Sequence, residues 1–76
     1  MVFQVRVASQ QKGVNLPADS TVEKVLAEAR KQGLKLPTDL QRVNVRGYIS
    51  GNPFNLSDKA PTNDVLDCSI EPLTDR

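Results

Sequence analysis

The chain has 76 residues, 38% apolar and 25% charged, with ten Lys and Arg against nine Asp and Glu for a net charge of +1. That length holds one domain with a modest core. Near-neutrality argues against the concentrated positive charge that phosphate-driven binding to nucleic acid requires.

Residues 2–8 alternate, with Phe3, Val5 and Val7 on one side and Gln4 and Arg6 on the other, which predicts a half-buried strand. Gln10 to Gly13 reads as a polar turn, and Val14 and Leu16 as a returning strand that Pro17 ends because it cannot donate to a ladder. Ser20-Thr21-Val22-Glu23 fits a capping box with Ser20 as the cap. Val22, Val25, Leu26 and Ala29 then recur at helical spacing, and Arg30 and Lys31 sit where the helix dipole favours cations. Gly33 supplies a left-handed closing residue, and Leu34 can fold back on Ala29. The predicted helix covers about residues 21–32.

Leu36 to Leu40 connects this helix to a third strand, in which Arg42, Asn44 and Arg46 alternate with Val43 and Val45 before Gly47. Tyr48-Ile49-Ser50 reads as a short fourth strand and Gly51-Asn52-Pro53 as a turn. Leu56-Ser57-Asp58 marks a short helical or turn segment, where Asp58 more readily caps a turn than serves catalysis. Asn63-Asp64 turns the chain into a last strand. There Leu66, Cys68 and Ile70 face in, Asp67, Ser69 and Glu71 face out, and Pro72 ends the run.

Strand–strand–helix–strand–(strand)–strand is the order of the β-grasp fold. The residues resemble ubiquitin-like proteins in order and register along nearly the whole chain. The resemblance rests on Phe3/Val5/Val7, Ser20-Thr21, Gly33, the Pro37 to Arg42 segment, Gly47 and Leu56-Ser57-Asp58. The departures are a first turn one residue shorter and one extra residue between helix and third strand. The resemblance implies an α+β domain over residues 1–76, with a four- to five-stranded mixed sheet and one helix packed across one face. It also implies that the last strand lies between the first and the third.

Two features of ubiquitin have no counterpart. The tail Glu71-Pro72-Leu73-Thr74-Asp75-Arg76 lacks the glycine pair that conjugation and sulfur carriage use. On the open sheet face, where ubiquitin is aliphatic, the matching positions are Asn44 and Ser69 with Asp67 beside them. Receptors built for an apolar patch lose contacts there and meet polar groups they cannot satisfy.

The implied strand order sets Asp67, Ser69 and Glu71 between Arg6 on one side and Arg42, Asn44 and Arg46 on the other. The plain reading is cross-strand pairing that keeps an exposed sheet in water, at roughly 0.2–1 kcal/mol per pair. The functional reading is a polar docking surface in which arginines meet a partner's carboxylates. Tyr48 and Phe54, with Ile49 and Pro53, form a second candidate surface, since rigid aromatics on loops are common anchors. Against that, Phe54 and Ile49 suit the lower core of a small domain, with Tyr48 half-exposed.

One cysteine and no histidine leave no intramolecular disulfide, no zinc site and no imidazole base. The iron–sulfur ferredoxins of the same fold need several cysteines. Cys68 itself reads as a small buried hydrophobe. No catalytic, metal or cofactor residue is expected. The apolar runs are too short to cross a membrane, and the start lacks the pattern of a signal peptide, so the expected location is cytoplasmic.

The leading expectation is a non-catalytic module that docks non-covalently on a larger protein, such as a secretion-system or multicomponent-enzyme subunit. One alternative is a modifier or carrier whose tail is truncated or processed. Another is a weak binder of nucleic acid or acidic ligands through Arg6, Arg42 and Arg46, which Asp67 and Glu71 oppose by cancelling the field. An exposed edge strand also leaves pairing with a second copy open.

Overall fold

The computed structural model describes residues 1–70. Glu71, Pro72 and the rest of the tail to Arg76, including the absent glycine pair, lie outside the described residues. Five strands form one mixed sheet in the order β2-β1-β5-β3-β4, and one helix packs across it. This is an α+β, β-grasp-like fold.

Strands β1 (Val2–Val7) and β2 (Gln10–Asn15) pair antiparallel from Val7↔Gln10 to Val2↔Asn15. The turn is therefore Ala8-Ser9, not Gln10 to Gly13, and Gly13 lies inside the ladder opposite Gln4. Two-residue hairpin turns that match strand twist need a left-handed residue. Ala8 takes that conformation, with φ at 54°, although it carries a Cβ. Its sequence gives no sign of this, because glycine or asparagine is the usual signal.

The helix α1 (Val22–Lys31) buries Val22, Val25, Leu26 and Ala29, the expected stripe. Its cap differs from the capping box. Thr21 Oγ1, rather than Ser20, accepts from the Lys24 N–H at 3.4 Å. Ser20 is buried, and its carbonyl accepts from the Ala60 N–H at 3.0 Å. The first N–H groups of the helix are satisfied from across the chain: Val22 donates to the Asp58 carbonyl (2.8 Å) and Glu23 to the Leu56 carbonyl (3.0 Å). The Leu56 to Asp58 segment is thus an external cap that fills part of the helix's unmet donor capacity. Asp58 Oδ2 holds that segment by accepting from the Asn55 N–H at 2.8 Å. At the other end Gly33 (φ 108°) closes the helix, with Leu34 N–H donating to Ala29 and Gly33 N–H to Arg30.

Asp39 accepts from the Gln41 N–H at 3.1 Å and starts a 3₁₀ turn over Leu40–Arg42. Arg42 therefore precedes β3 (Val43–Gly47) rather than belonging to it. The fourth strand β4 is Pro53–Phe54, not Tyr48 to Ser50. It pairs with β3 through Val45↔Phe54 and Arg46↔Pro53. Proline is tolerated there because β4 is the sheet edge. The last strand β5 (Val65–Ile70) lies parallel to β1 and antiparallel to β3, as the resemblance implied.

Phe3, Val5, Val14, Leu26 and Leu66 form the centre of the core, with Leu16, Leu40, Phe54 and Leu56 packed at its margin. Cys68 is buried among them. Ile70, expected inward, is 46% exposed, and Ile49, expected in the lower core, is 73% exposed.

Leu66 is 1% exposed on the strand that joins the two halves of the sheet. Leu66→Ala is expected to lower unfolding free energy by about 2–5 kcal/mol. Urea denaturation followed by circular dichroism measures this, and a loss below about 1 kcal/mol contradicts the assigned centre of the core.

Candidate functional site

One face of the sheet carries the helix, and among the described residues no helix or strand covers the other. The bare face follows from the alternation of the three central strands. Asp67 on β5 stands opposite Arg6 of β1 on one side and Arg46 of β3 on the other. Ser69 stands opposite Asn44. Opposed charges across neighbouring strands attract, so Asp67 is a negative centre between two guanidinium-bearing chains.

Tyr48 joins this row. Its N–H donates to the Val65 carbonyl at 2.8 Å, which continues the β3–β5 pairing by one residue past Gly47. The Arg6 guanidinium carbon lies 4.8 Å from the centre of the Tyr48 ring, within cation–π range. Arg6 Nε also donates to the Ala8 carbonyl at 3.5 Å. The two surfaces read separately from the sequence, sheet arginines and loop aromatic, therefore meet at Arg6 and Tyr48.

Arg6, Ala8, Tyr48, Asp67, Ser69 and Ile70 line a hollow of about 430 Å³. A larger groove of about 970 Å³ runs beside β3 and β4 and takes in Asn44, Arg46, Phe54, Leu56, Asp67 and Ser69. Asp67 and Ser69 border both. Phe54 is half-buried against the core and only edges the groove, so it is first a packing residue. Arg42, displaced into the 3₁₀ turn, lines neither depression.

The loop after β3 is fixed by Asp64. Its carboxylate accepts from Ile49 N–H (2.8 Å), Ser50 N–H (3.2 Å), Ser50 Oγ (2.9 Å) and Val65 N–H (2.7 Å). These bonds favour the ionised form and hold its pKa down at about 2. The Ile49 N–H acts most strongly and partial desolvation opposes it, while Ser50 and Val65 add to the lowering. Gly47 is required by this arrangement: a Cβ there would strike the Asp64 carboxylate and the Ser50 hydroxyl. The sequence marks Asp64 only as a turn residue, because its partners at Ile49 and Ser50 are distant in the chain.

Cys68 is the one thiol, and burial pushes its pKa up to about 12, with the negative Asp67 adding to the rise. Such a thiol is a packing group rather than a nucleophile. Among the described residues, no three His, Cys, Asp or Glu side chains gather where they could hold a metal ion. No helix of the described residues is long and apolar enough to cross a membrane.

No protein-family model matches this chain, and no curated protein matches it.

Two measurements check these assignments. Because the folded pKa of Asp64 is depressed, its stabilising effect is full above the ordinary aspartate value near 3.8 and is lost as pH falls through about 2. The Ile49 and Ser50 amide resonances should titrate with a midpoint near 2, and a midpoint near 4 contradicts the staple. Cys68 should resist a disulfide reagent such as DTNB at pH 8 in the native protein and react at once in urea. Equal rates in the two conditions contradict its burial.

Proposed function

We propose that this chain is a ubiquitin-like, non-catalytic docking module that binds a larger protein non-covalently through the bare face of its sheet. The observation that carries this reading is the row Arg6, Asp67, Arg46 with Tyr48 stacked on Arg6. This face mixes an exposed aromatic and planar donors with a carboxylate, and aromatics and arginines are enriched at protein interfaces. The chemistry at hand supports binding rather than turnover: the only thiol is held protonated, the chain has no histidine, and the most perturbed carboxylate among the described residues, Asp64, is occupied by four donors. The resemblance to ubiquitin-like proteins supports a role in a larger assembly by analogy. Stand-alone subunits of secretion systems and multicomponent monooxygenases are the kind of role meant. A polar face centred on Asn44, Asp67 and Ser69 suits a partner other than the receptors of ubiquitin's apolar patch.

The test is affinity capture from the cells that make this protein, with parallel native and denaturing washes and mass spectrometry. Partners kept natively, lost on denaturation, and lost again with Arg46→Glu but not with Lys31→Glu on the exposed side of the helix are the expected result. With the captured partner purified, Arg46→Glu should weaken binding about tenfold or more, equal to about 1.4 kcal/mol. Adducts that survive denaturation, joined through the C-terminus to lysines, would make the chain a modifier. Recovery abolished by nuclease would make it a nucleic-acid binder.

A further inference from the structure

We propose that β2 is a self-pairing edge. Two copies of this chain join antiparallel along it, with Gly13 of one copy opposite Gly13 of the other at a two-fold axis, and form one continuous sheet. This does not rest on the docking reading above, which concerns other strands.

The open groups follow from the hairpin. Along an antiparallel pair, residues alternate between bonding the neighbouring strand and facing away from it. The β1–β2 register runs from Val7↔Gln10 to Val2↔Asn15, and the Leu16 N–H donates to the Met1 carbonyl at 2.9 Å. Gln10, Lys12 and Val14 therefore bond to β1, whereas the N–H and C=O groups of Gln11, Gly13 and Asn15 face away from the sheet. Among the described residues no other backbone group bonds to those three. All three are exposed. Open backbone donors and acceptors in strand geometry are a template for a further strand.

The opposite edge is closed. β4 has only two residues, Pro53 and Phe54. Phe54 pairs with Val45, and Gly47 N–H donates to the Asn52 carbonyl, so Pro53 and Asn55 are the residues that face outward there. Pro53 has no N–H to offer. The Asn55 N–H is taken by Asp58 Oδ2 at 2.8 Å. A chain with one open and one blocked edge cannot extend copy after copy. Open edge against open edge gives a closed, isologous pair, which makes a second copy the fitting occupant.

The residues of β2 select the register. With Gly13 on the axis, Gln11 of each copy stands opposite Asn15 of the other, so three pairs exchange two bonds apiece and every open group is used. An axis through Lys12 instead sets the one charge of the strand against its twin, which destabilises a sheet pair. A lysine on an edge ordinarily discourages pairing, but with Gly13 central Lys12 faces Val14. The side-chain amides match as well. Gln11 Nε2 donates to Gln4 Oε1, and Asn15 Oδ1 accepts from the Met1 amino group, each at 3.1 Å. That leaves Gln11 Oε1 to accept and Asn15 Nδ2 to donate, and this register sets them opposite each other. The axis is perpendicular to the sheet. Both helices therefore lie on one side of the joined sheet, and both rows of Arg6, Asp67 and Arg46 on the other.

The experiment is sedimentation equilibrium of the purified chain from about 10 µM to about 1 mM, because a contact of one short edge holds only a weak dimer. Amide hydrogen exchange is followed by NMR at both ends of that range. The expected result is a monomer–dimer equilibrium with no larger species, and slower exchange of the Gln11, Gly13 and Asn15 amides at the high end. Gln11→Pro removes an outward donor without breaking the β1 ladder and should weaken the dimer about tenfold or more. A pair of double variants keeps the test decisive if proline disturbs the hairpin. Gln11→Lys with Asn15→Lys sets like charges opposite and should weaken the dimer, whereas Gln11→Glu with Asn15→Lys sets opposite charges there and should restore it. A chain that stays monomeric to about 1 mM overturns the proposal. So does a dimer that the double-lysine variant leaves unchanged or that both double variants weaken equally. Slowed exchange at Gln11, Gly13 and Asn15 only when a different protein is added overturns it too.

Discussion

The whole sheet depends on where β5 lies. β2 and β1 form one hairpin at the start of the chain, and β3 and β4 form another after the helix. Among the described residues the strand that joins these hairpins is β5, which bonds to β1 on one side and β3 on the other. The strand made last is therefore the one that completes the fold. Its pairing with β1 spans about sixty residues of chain (Gln4↔Val65, for example), so the entropy of a long loop is lost before the pairing gains anything. That cost is offset by burying Leu66 and Cys68 among the aliphatics of β1 and β3.

A second long-range closure reinforces the first. The segment between β4 and β5 bonds the start of α1 through the carbonyls of Leu56 and Asp58, and Ala60 donates to Ser20. The same stretch of chain thus caps the helix and leads into the central strand. Its Leu-Ser-Asp residues need no catalytic explanation, since Asp58 spends its carboxylate on the Asn55 N–H.

Placing β5 in the centre also makes the candidate surface. Asp67 lies between Arg6 and Arg46 only because its strand lies between theirs. Tyr48 reaches Arg6 because β3 runs on by one hydrogen bond to Val65, past Gly47. The bare face is therefore a product of closure, as is the loop that Asp64 pins from across the chain. Its polarity separates this domain from an apolar docking patch. Asn44, Asp67 and Ser69 do not drive association by burial, so a partner docked on this face would have to answer them with hydrogen bonds.

The strands with strict alternation, the helix stripe and the closing Gly33 were legible in the sequence, because each is a local pattern of burial or backbone conformation. So was the juxtaposition of Arg6, Asn44, Arg46, Asp67 and Ser69, given the strand order that the resemblance implied. What was not legible was decided by partners remote in the chain. Thr21 displaces Ser20 as cap because carbonyls from Leu56 and Asp58 meet the first helical N–H groups. Tyr48 to Ser50 becomes a loop rather than a strand because Asp64 takes the N–H groups of Ile49 and Ser50. Arg42 leaves its strand because Asp39 starts a 3₁₀ turn, a local signal that the alternation with Val43 concealed. Ile49 and Ile70 read as core by composition and alternation, yet they lie beyond the cover that the rest of the fold provides. Sequence alone determined which segments could be strand or helix and which face of each was apolar, since those depend on neighbours a few residues away. Only the tertiary structure decided the caps, the loop and the exposure of Ile49 and Ile70, because each is set by hydrogen bonds and burial between segments that meet only after β5 is in place.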